Sequence, residues 1–259
     1  MSANSHIEWT QMTWNPVRGC TRVSEGCRNC YAERLATRFA GAGQPYEGLS
    51  IMTPSGPRWT NQIRLVPEAL DEPLRWRRPR IIFVNSMSDL FHPDVPLEFI
   101  QRVFDVMLRC PQHTFQILTK RTERMRQLAG QLTWPPNVWM GVSVEDARVI
   151  DRIYDLQRVP AAVRFLSVEP LIGPIEHLPL EGIHWVIVGG ESGPGARPIQ
   201  QEWVESIFQQ CHRAEVPFFF KQWGGKRKSA TGRLLHGRTY DEMPEHDGRN
   251  NQALHLAAA

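Results

Sequence analysis

No apolar run in this 259-residue sequence approaches the ~20 residues a helix needs to cross a bilayer, and the amino-terminal MSANSHIEWTQ lacks the apolar stretch of a secretion signal. The expectation is a cytoplasmic protein with no membrane partner. Charge is nearly balanced, 30 basic against 27 acidic side chains. A net +3 is too slight to imply a nucleic-acid partner, although it leaves room for a local basic stripe. Five cysteines are an odd number for a disulfide framework. No internal repeat marks a solenoid, and no Lys-Ser/Thr pair follows Gly193-Pro-Gly195, which argues against a phosphate loop. What is present is ordinary globular material, 41% hydrophobic and 22% charged, enough for one large core.

Short runs rich in β-branched and aromatic residues occur at 80–84, 114–118, 138–142, 163–166, 183–188 and 216–220. Their continuous apolarity fits strands buried on both faces, and the stretches between them, such as 96–109, 149–157 and 200–212, carry helical spacing. A further strand near 7–14 and a helix over 31–40 bring the count to about seven βα units. The expected fold is α/β, a partial TIM-type barrel of six to seven βα units. It should occupy residues 1–225, with an insertion at 41–79 and a C-terminal extension at 226–259. Every strand ends in polar residues: Asn85, Ser86, Ser88 and Asp89; Thr119, Lys120 and Arg121; Ser143, Glu145 and Asp146; Ser167 and Glu169; Glu191 and Ser192; Lys221 and Gln222. In parallel α/β folds that end carries the active site, so the repeated polar tips point to one.

Cys20, Cys27 and Cys30 crowd into eleven positions between the first strand and its helix. Asn15, Pro16, Gly19 and Gly26 would let a compact loop fold around an inorganic core. Thiolate suits iron, and three cysteines on a four-iron cubane leave one corner open to a cofactor or substrate. Zinc held by three cysteines and a histidine, His6 or His92, is the alternative, although zinc modules usually present two close ligand pairs. Cys110 and Cys211 lie in apolar helical stretches and read as core thiols.

At these residues the sequence resembles the radical S-adenosylmethionine superfamily, whose usual spacing is C-x3-C-x2-C with an aromatic before the last cysteine. Here the first gap is six residues and the aromatic, Tyr31, follows the last cysteine. A longer resemblance is to a phage and bacterial three-cysteine-motif family of unknown function. It rests on Trp14-Asn-Pro, Gly19-Cys20, Gly26-Cys27, Cys30-Tyr31-Ala32, Ser86-Met-Ser-Asp89, Leu118-Thr-Lys120-Arg121, Gly141-Val-Ser143, Ser167-Val-Glu169-Pro170, Gly189-Gly-Glu191-Ser192 and Lys221-Gln-Trp223-Gly.

The resemblance implies a 4Fe–4S cluster on Cys20, Cys27 and Cys30, with the amine and carboxylate of S-adenosylmethionine on the open iron. Reductive cleavage would then give a 5′-deoxyadenosyl radical. In that setting Ser86, Ser88 and Asp89 stand near the cofactor's amine, Lys120 first and Arg121 second near its carboxylate, and Tyr31 is a further cofactor-binding candidate. Ser143, Glu145 and Glu169 are candidates for the ribose, and Gly190 and Glu191 for close backbone approach and polar contact. An electron donor and a companion protein encoded nearby are implied partners. Distant similarity to the spore photoproduct lyases, radical enzymes acting on a DNA lesion, makes DNA a candidate partner and base repair or modification the candidate reaction. Trp59, Trp76 and the Arg77, Arg78 and Arg80 group could stack bases and follow phosphates, or equally be packing residues and a solvated face. The rival function is a nucleic-acid-binding protein braced by a structural Fe–S or zinc site.

Overall fold

Seven parallel strands follow one another across a single curled sheet in the order of the chain. They are β1 (Met12–Trp14), β2 (Ile81–Val84), β3 (Thr114–Thr119), β4 (Val138–Ser143), β5 (Val163–Val168), β6 (Trp185–Gly189) and β7 (Phe218–Gln222). The computed structural model describes residue 5 and residues 7–245. Among these residues β1 and β7 do not pair, so the sheet is an open half-barrel, the partial TIM-type architecture expected.

Five helices lie between the strands: α1 (Tyr31–Thr37), α2 (Leu97–Leu108), α3 (Thr122–Leu128), α4 (Asp151–Gln157) and α5 (Gln201–Arg213). Two expectations need correction. The connection from β5 to β6 holds no helix, because Pro170, Pro174 and Pro179 remove backbone donors at short intervals. The first strand is also shorter than 7–14. Residues 7–10 form a turn closed by the Thr10 amide on the Ile7 carbonyl (3.2 Å), which leaves Trp9 buried rather than paired in the sheet.

The two-residue period of a strand divides the apolar side chains cleanly. Ile82, Val84, Phe115, Ile117, Met140, Val142, Leu166, Val186 and Phe220 join the large core beneath the helices. Phe83, Trp139, Val163, Phe165, Trp185, Ile187 and Phe219 point the other way and, with Trp9, fill the concave side. Gly141 belongs to that concave layer. A Cβ there would come 2.3 Å from the ring of Phe165, so the glycine is the gap that the phenylalanine occupies. Aromatic bulk fills the lower barrel, and the polar strand ends stand above it.

The 41–79 segment contributes a hairpin of Ser50–Thr53 with Gly56–Trp59. Trp59 is buried beside α1 and also reaches the space among the polar strand ends, whereas Trp76 packs edge-on against His113 with ring centroids 6.0 Å apart. Arg77, Arg78 and Arg80 precede β2 and therefore sit at the end of the sheet opposite the polar tips. Beyond β7 the chain returns to the sheet. The Tyr240 ring enters the main core, and the Glu242 carbonyl accepts from Trp185 Nε1 (2.7 Å). Positions 246–259 of the expected extension lie outside the described residues. Among the described residues no helix is long and apolar enough to cross a membrane.

Candidate functional site

The loop after β1 is pinned at almost every turn by strand-end side chains. Asn15 Oδ1 accepts from the Met87 amide (3.1 Å) and Ser86 Oγ (3.2 Å), and Ser88 Oγ donates to the Val17 carbonyl (2.7 Å). Gly19 has φ +85°, and the Gln62 carbonyl lies 2.3 Å from where its Cβ would stand, so only glycine passes there. Arg121 Nη2 donates to the Thr21 carbonyl (2.9 Å) and hydroxyl (2.6 Å). Ser24 Oγ donates to Glu145 Oε1 (2.6 Å), and Asn29 Nδ2 to Glu191 Oε2 (2.8 Å). Arg34 Nη1 reaches the Pro194 carbonyl (3.0 Å), and Arg197 Nη2 the Glu25 carbonyl (2.9 Å). The cysteine loop and α1 thus span the open side of the half-barrel, tied to β2 through β4 on one flank and to the loop after β6 on the other.

Beneath the loop lies a cavity of about 590 Å³. Cys20, Cys27 and Cys30 line it, together with Tyr31, Ser86, Ser88, Asp89, Lys120, Ser143, Glu169, Gly190 and Glu191. Twelve of the thirteen residues expected from the sequence therefore meet around one space. Glu145, the thirteenth, stands behind the wall. It is buried between Lys120 Nζ (2.6 Å) and Arg152 Nη1 (2.7 Å), and a Cβ on Gly26 would come 2.3 Å from it. Burial opposes its ionisation, but the two cations outweigh burial and hold its carboxyl below the ordinary range. Its position is that of an anchor for the cysteine loop rather than a ribose ligand.

Other expected ligands are also engaged by protein. Asp89 takes hydrogen bonds from Thr119, the Lys120 and Phe91 amides and Arg121. Burial disfavours the Arg121 charge, yet Asp89 and Cys20 more than compensate and leave its pKa raised. Glu191 is likewise desolvated but held ionised by Arg197 and Asn29. Tyr31 donates its hydroxyl to the Ser86 carbonyl (2.6 Å) at the mouth of the cavity. Glu169 faces Lys221 Nζ (3.2 Å), and its carboxylate occupies room that only Gly189 leaves, a Cβ there falling 2.6 Å from Oε1.

Several cavity residues were not assigned a role from the sequence. Asn85, buried and in the left-handed region at φ +61°, presents both ends of its carboxamide without a protein partner. Trp9 Nε1 and Gln222 Oε1 are likewise buried and unpartnered, and all three residues line the cavity. Each such group costs ~1–3 kcal/mol that a bound molecule could recover. Asn85 and Gln222 were visible as strand-end residues, whereas nothing in the spacing around Trp9 announced that it would turn inward.

The thiols sit in a dry setting. Burial pushes Cys20 up to about 12, partly offset by Arg121, and raises Cys30 as well. Without a cationic centre these sulfurs stay protonated; with one they become thiolates. Among the described residues no three His, Cys, Asp or Glu side chains are gathered to hold a metal ion as they stand. His92 is occupied by Thr21 Oγ1 (3.0 Å) and the Asp94 amide (3.2 Å), and it does not line the cavity. His6, the other zinc candidate, lies outside the described residues. Cys110 and Cys211 are buried in the main core. Three soft donors on one cavity wall with no fourth thiol beside them fit an inorganic cluster with an open position.

The sequence model of a family described as "Protein of unknown function (DUF5131)" matches residues 4–244. No curated protein matches the chain. Among solved structures, a mutant spore photoproduct lyase shares 13% identity at a TM-score of 0.48. Another mutant of that lyase, with bound AdoMet and dinucleoside spore photoproduct, gives 0.47, and the lyase complexed with dinucleoside spore photoproduct gives 0.45, both at 13% identity. Each match covers 81% of this chain, which spans 63% of the lyase's length.

Proposed function

We propose that this chain, which belongs to the DUF5131 family of proteins of unknown function, is a radical S-adenosylmethionine enzyme whose cavity holds a 4Fe–4S cluster and the cofactor. The observation that carries this reading is the meeting of Cys20, Cys27 and Cys30 with the polar strand ends around one space. When bound, the reduced cluster supplies the electron that cleaves S-adenosylmethionine to methionine and a 5′-deoxyadenosyl radical.

The chain's own residues do the holding. Cys20, Cys27 and Cys30 ligate the cluster. Asp89 and Arg121 form a buried pair beside Cys20, with Arg121 Nη1 3.8 Å from its sulfur, and so place a positive charge against the anionic core. Ser86 and Ser88 set acceptors on the β2 end for the cofactor's amine. Lys120 gives a cation for its carboxylate, and Ser143 and Glu169 offer polar groups for its ribose. Gly190 brings backbone to the wall: a Cβ there would come 2.2 Å from the Trp223 carbonyl. The loop bridged to Glu191 and Arg197 screens the space from water. A base in DNA, repaired or modified, is the substrate proposed.

Anaerobic reconstitution with iron and sulfide, reduction with dithionite and addition of S-adenosylmethionine should release 5′-deoxyadenosine. Cys20→Ser, Cys27→Ser and Cys30→Ser should each lose the cluster's visible absorption and that product together. A protein carrying four irons and four sulfides that forms no 5′-deoxyadenosine would end the proposal.

A further inference from the structure

Resting on the reading of this cavity as the reaction chamber, we infer that its floor binds a nucleobase, read by the carboxamide of Asn85 over an aromatic bed of Trp9 and Phe83. Trp9 and Phe83 belong to the concave aromatic layer, with ring centroids 4.8 Å apart, and both line the cavity. Phe83 lies in β2 and Asn85 directly follows that strand, and the carboxamide shares the cavity with both rings.

Beside Glu169, whose Oε1 faces Lys221 Nζ (3.2 Å), the cavity's unpartnered groups on Asn85, Trp9 and Gln222 are neutral. Asn85 offers a donor and an acceptor side by side, Trp9 Nε1 adds a donor and Gln222 Oε1 an acceptor. Gln222 is fixed in place, its Nε2 donating to the Gly190 carbonyl (2.8 Å) and Ser192 Oγ (3.0 Å). An anion would leave the acceptors unmet and gain nothing from the two rings, which lie tilted by 56°. A planar heterocycle with adjacent donor and acceptor on its edge satisfies both, and a side-chain carboxamide pairs with such an edge in two hydrogen bonds. The left-handed backbone at Asn85 is one that Asn, Asp and Gly tolerate, which makes the position testable without strain.

Two molecules could bring such a ring: the adenine of S-adenosylmethionine, or a substrate base. Calorimetry on the purified full chain with adenosine, guanosine, cytidine, thymidine and S-adenosylhomocysteine separates them. At least one of these probes should bind. Asn85→Gly should weaken it about ten- to a hundredfold, and Asn85→Asp should change the order of preference among bases, both in protein shown by circular dichroism to be folded. Loss confined to adenosine and S-adenosylhomocysteine assigns the floor to the cofactor's adenine. Loss for a nucleoside that still binds alongside S-adenosylhomocysteine assigns it to the substrate. The inference is overturned if no probe binds at millimolar concentration, or if both variants bind every probe as the parent does. Its failure is distinct from that of radical chemistry: 5′-deoxyadenosine formed by a chain that binds no nucleoside sinks this inference alone, and nucleoside binding without that product sinks only the other.

Discussion

Glu145 shows how far a residue's role depends on what stands behind it. As the polar residue after β4 it reads as a ligand, yet Lys120 and Arg152 close on its two oxygens and Ser24 and Gly26 press against it from the cysteine loop. Glu145→Gln should cost ~3–5 kcal/mol, since it leaves two buried cations facing a neutral amide. Denaturant unfolding measures that cost, and reconstituted iron content should fall with it. A variant that keeps full stability and iron content would return Glu145 to the ligands. Gly26→Ala should do comparable harm, because its methyl group would displace the carboxylate from both partners. At this scale the sequence announced which residues meet but not how they are committed. Asp89, Glu145 and Glu191 all look like free carboxylates until their cations arrive from 6 to 32 positions away along the chain, and the pairing of Asp89 with Arg121 or Glu191 with Arg197 is a matter of loop geometry.

At the scale of elements, the strands were legible because burial on both faces leaves little room for polar residues, so β2 through β7 stand out as apolar runs. From β3 onward the ends extend one or two residues past those runs, for example into Thr119, Ser143 and Gln222, where ladder hydrogen bonds continue after apolarity stops. The missing helix between β5 and β6 and the short β1 were not legible from apolar count, since a turn can bury a tryptophan as fully as a strand does. The concave layer makes a sharp test. Gly141→Ala would force a methyl group into the Phe165 ring and should destabilise the protein by ~1–3 kcal/mol through overpacking. Gly141→Ala combined with Phe165→Leu should recover part of that loss in thermal melts; equal melting temperatures for parent and Gly141→Ala would contradict the layer's packing.

The whole molecule should lose stability in mild acid. His113 is buried against the Pro73 carbonyl, and His184 accepts the Arg164 amide on Nδ1 (3.0 Å). Burial lowers the pKa of both, with nearby arginine charge adding to the shift. A histidine whose folded pKa lies below its unfolded value near 6.5 favours folding in its neutral form. The contribution is therefore full above pH ~6.5 and is lost as pH falls from there toward the folded pKa. Melting temperature should decline between pH 7 and pH 5, and His184→Gln should flatten part of that decline. A profile level across this range would show that neither histidine is held neutral.

Strand order, the polar end of the sheet and the three thiols follow from local pattern: apolar runs, polar tips and cysteine spacing all act over a few residues and survive in a one-dimensional reading. Tertiary folding alone determined which side chains are spent on holding the loop and which are left facing the cavity. Hydrogen bonds and ion pairs are claimed by whichever partner arrives in three dimensions, so Glu145 became an anchor and Asn85, hardly noticeable among six strand-end clusters, was left with an unmet carboxamide in the cavity that two aromatic rings also line.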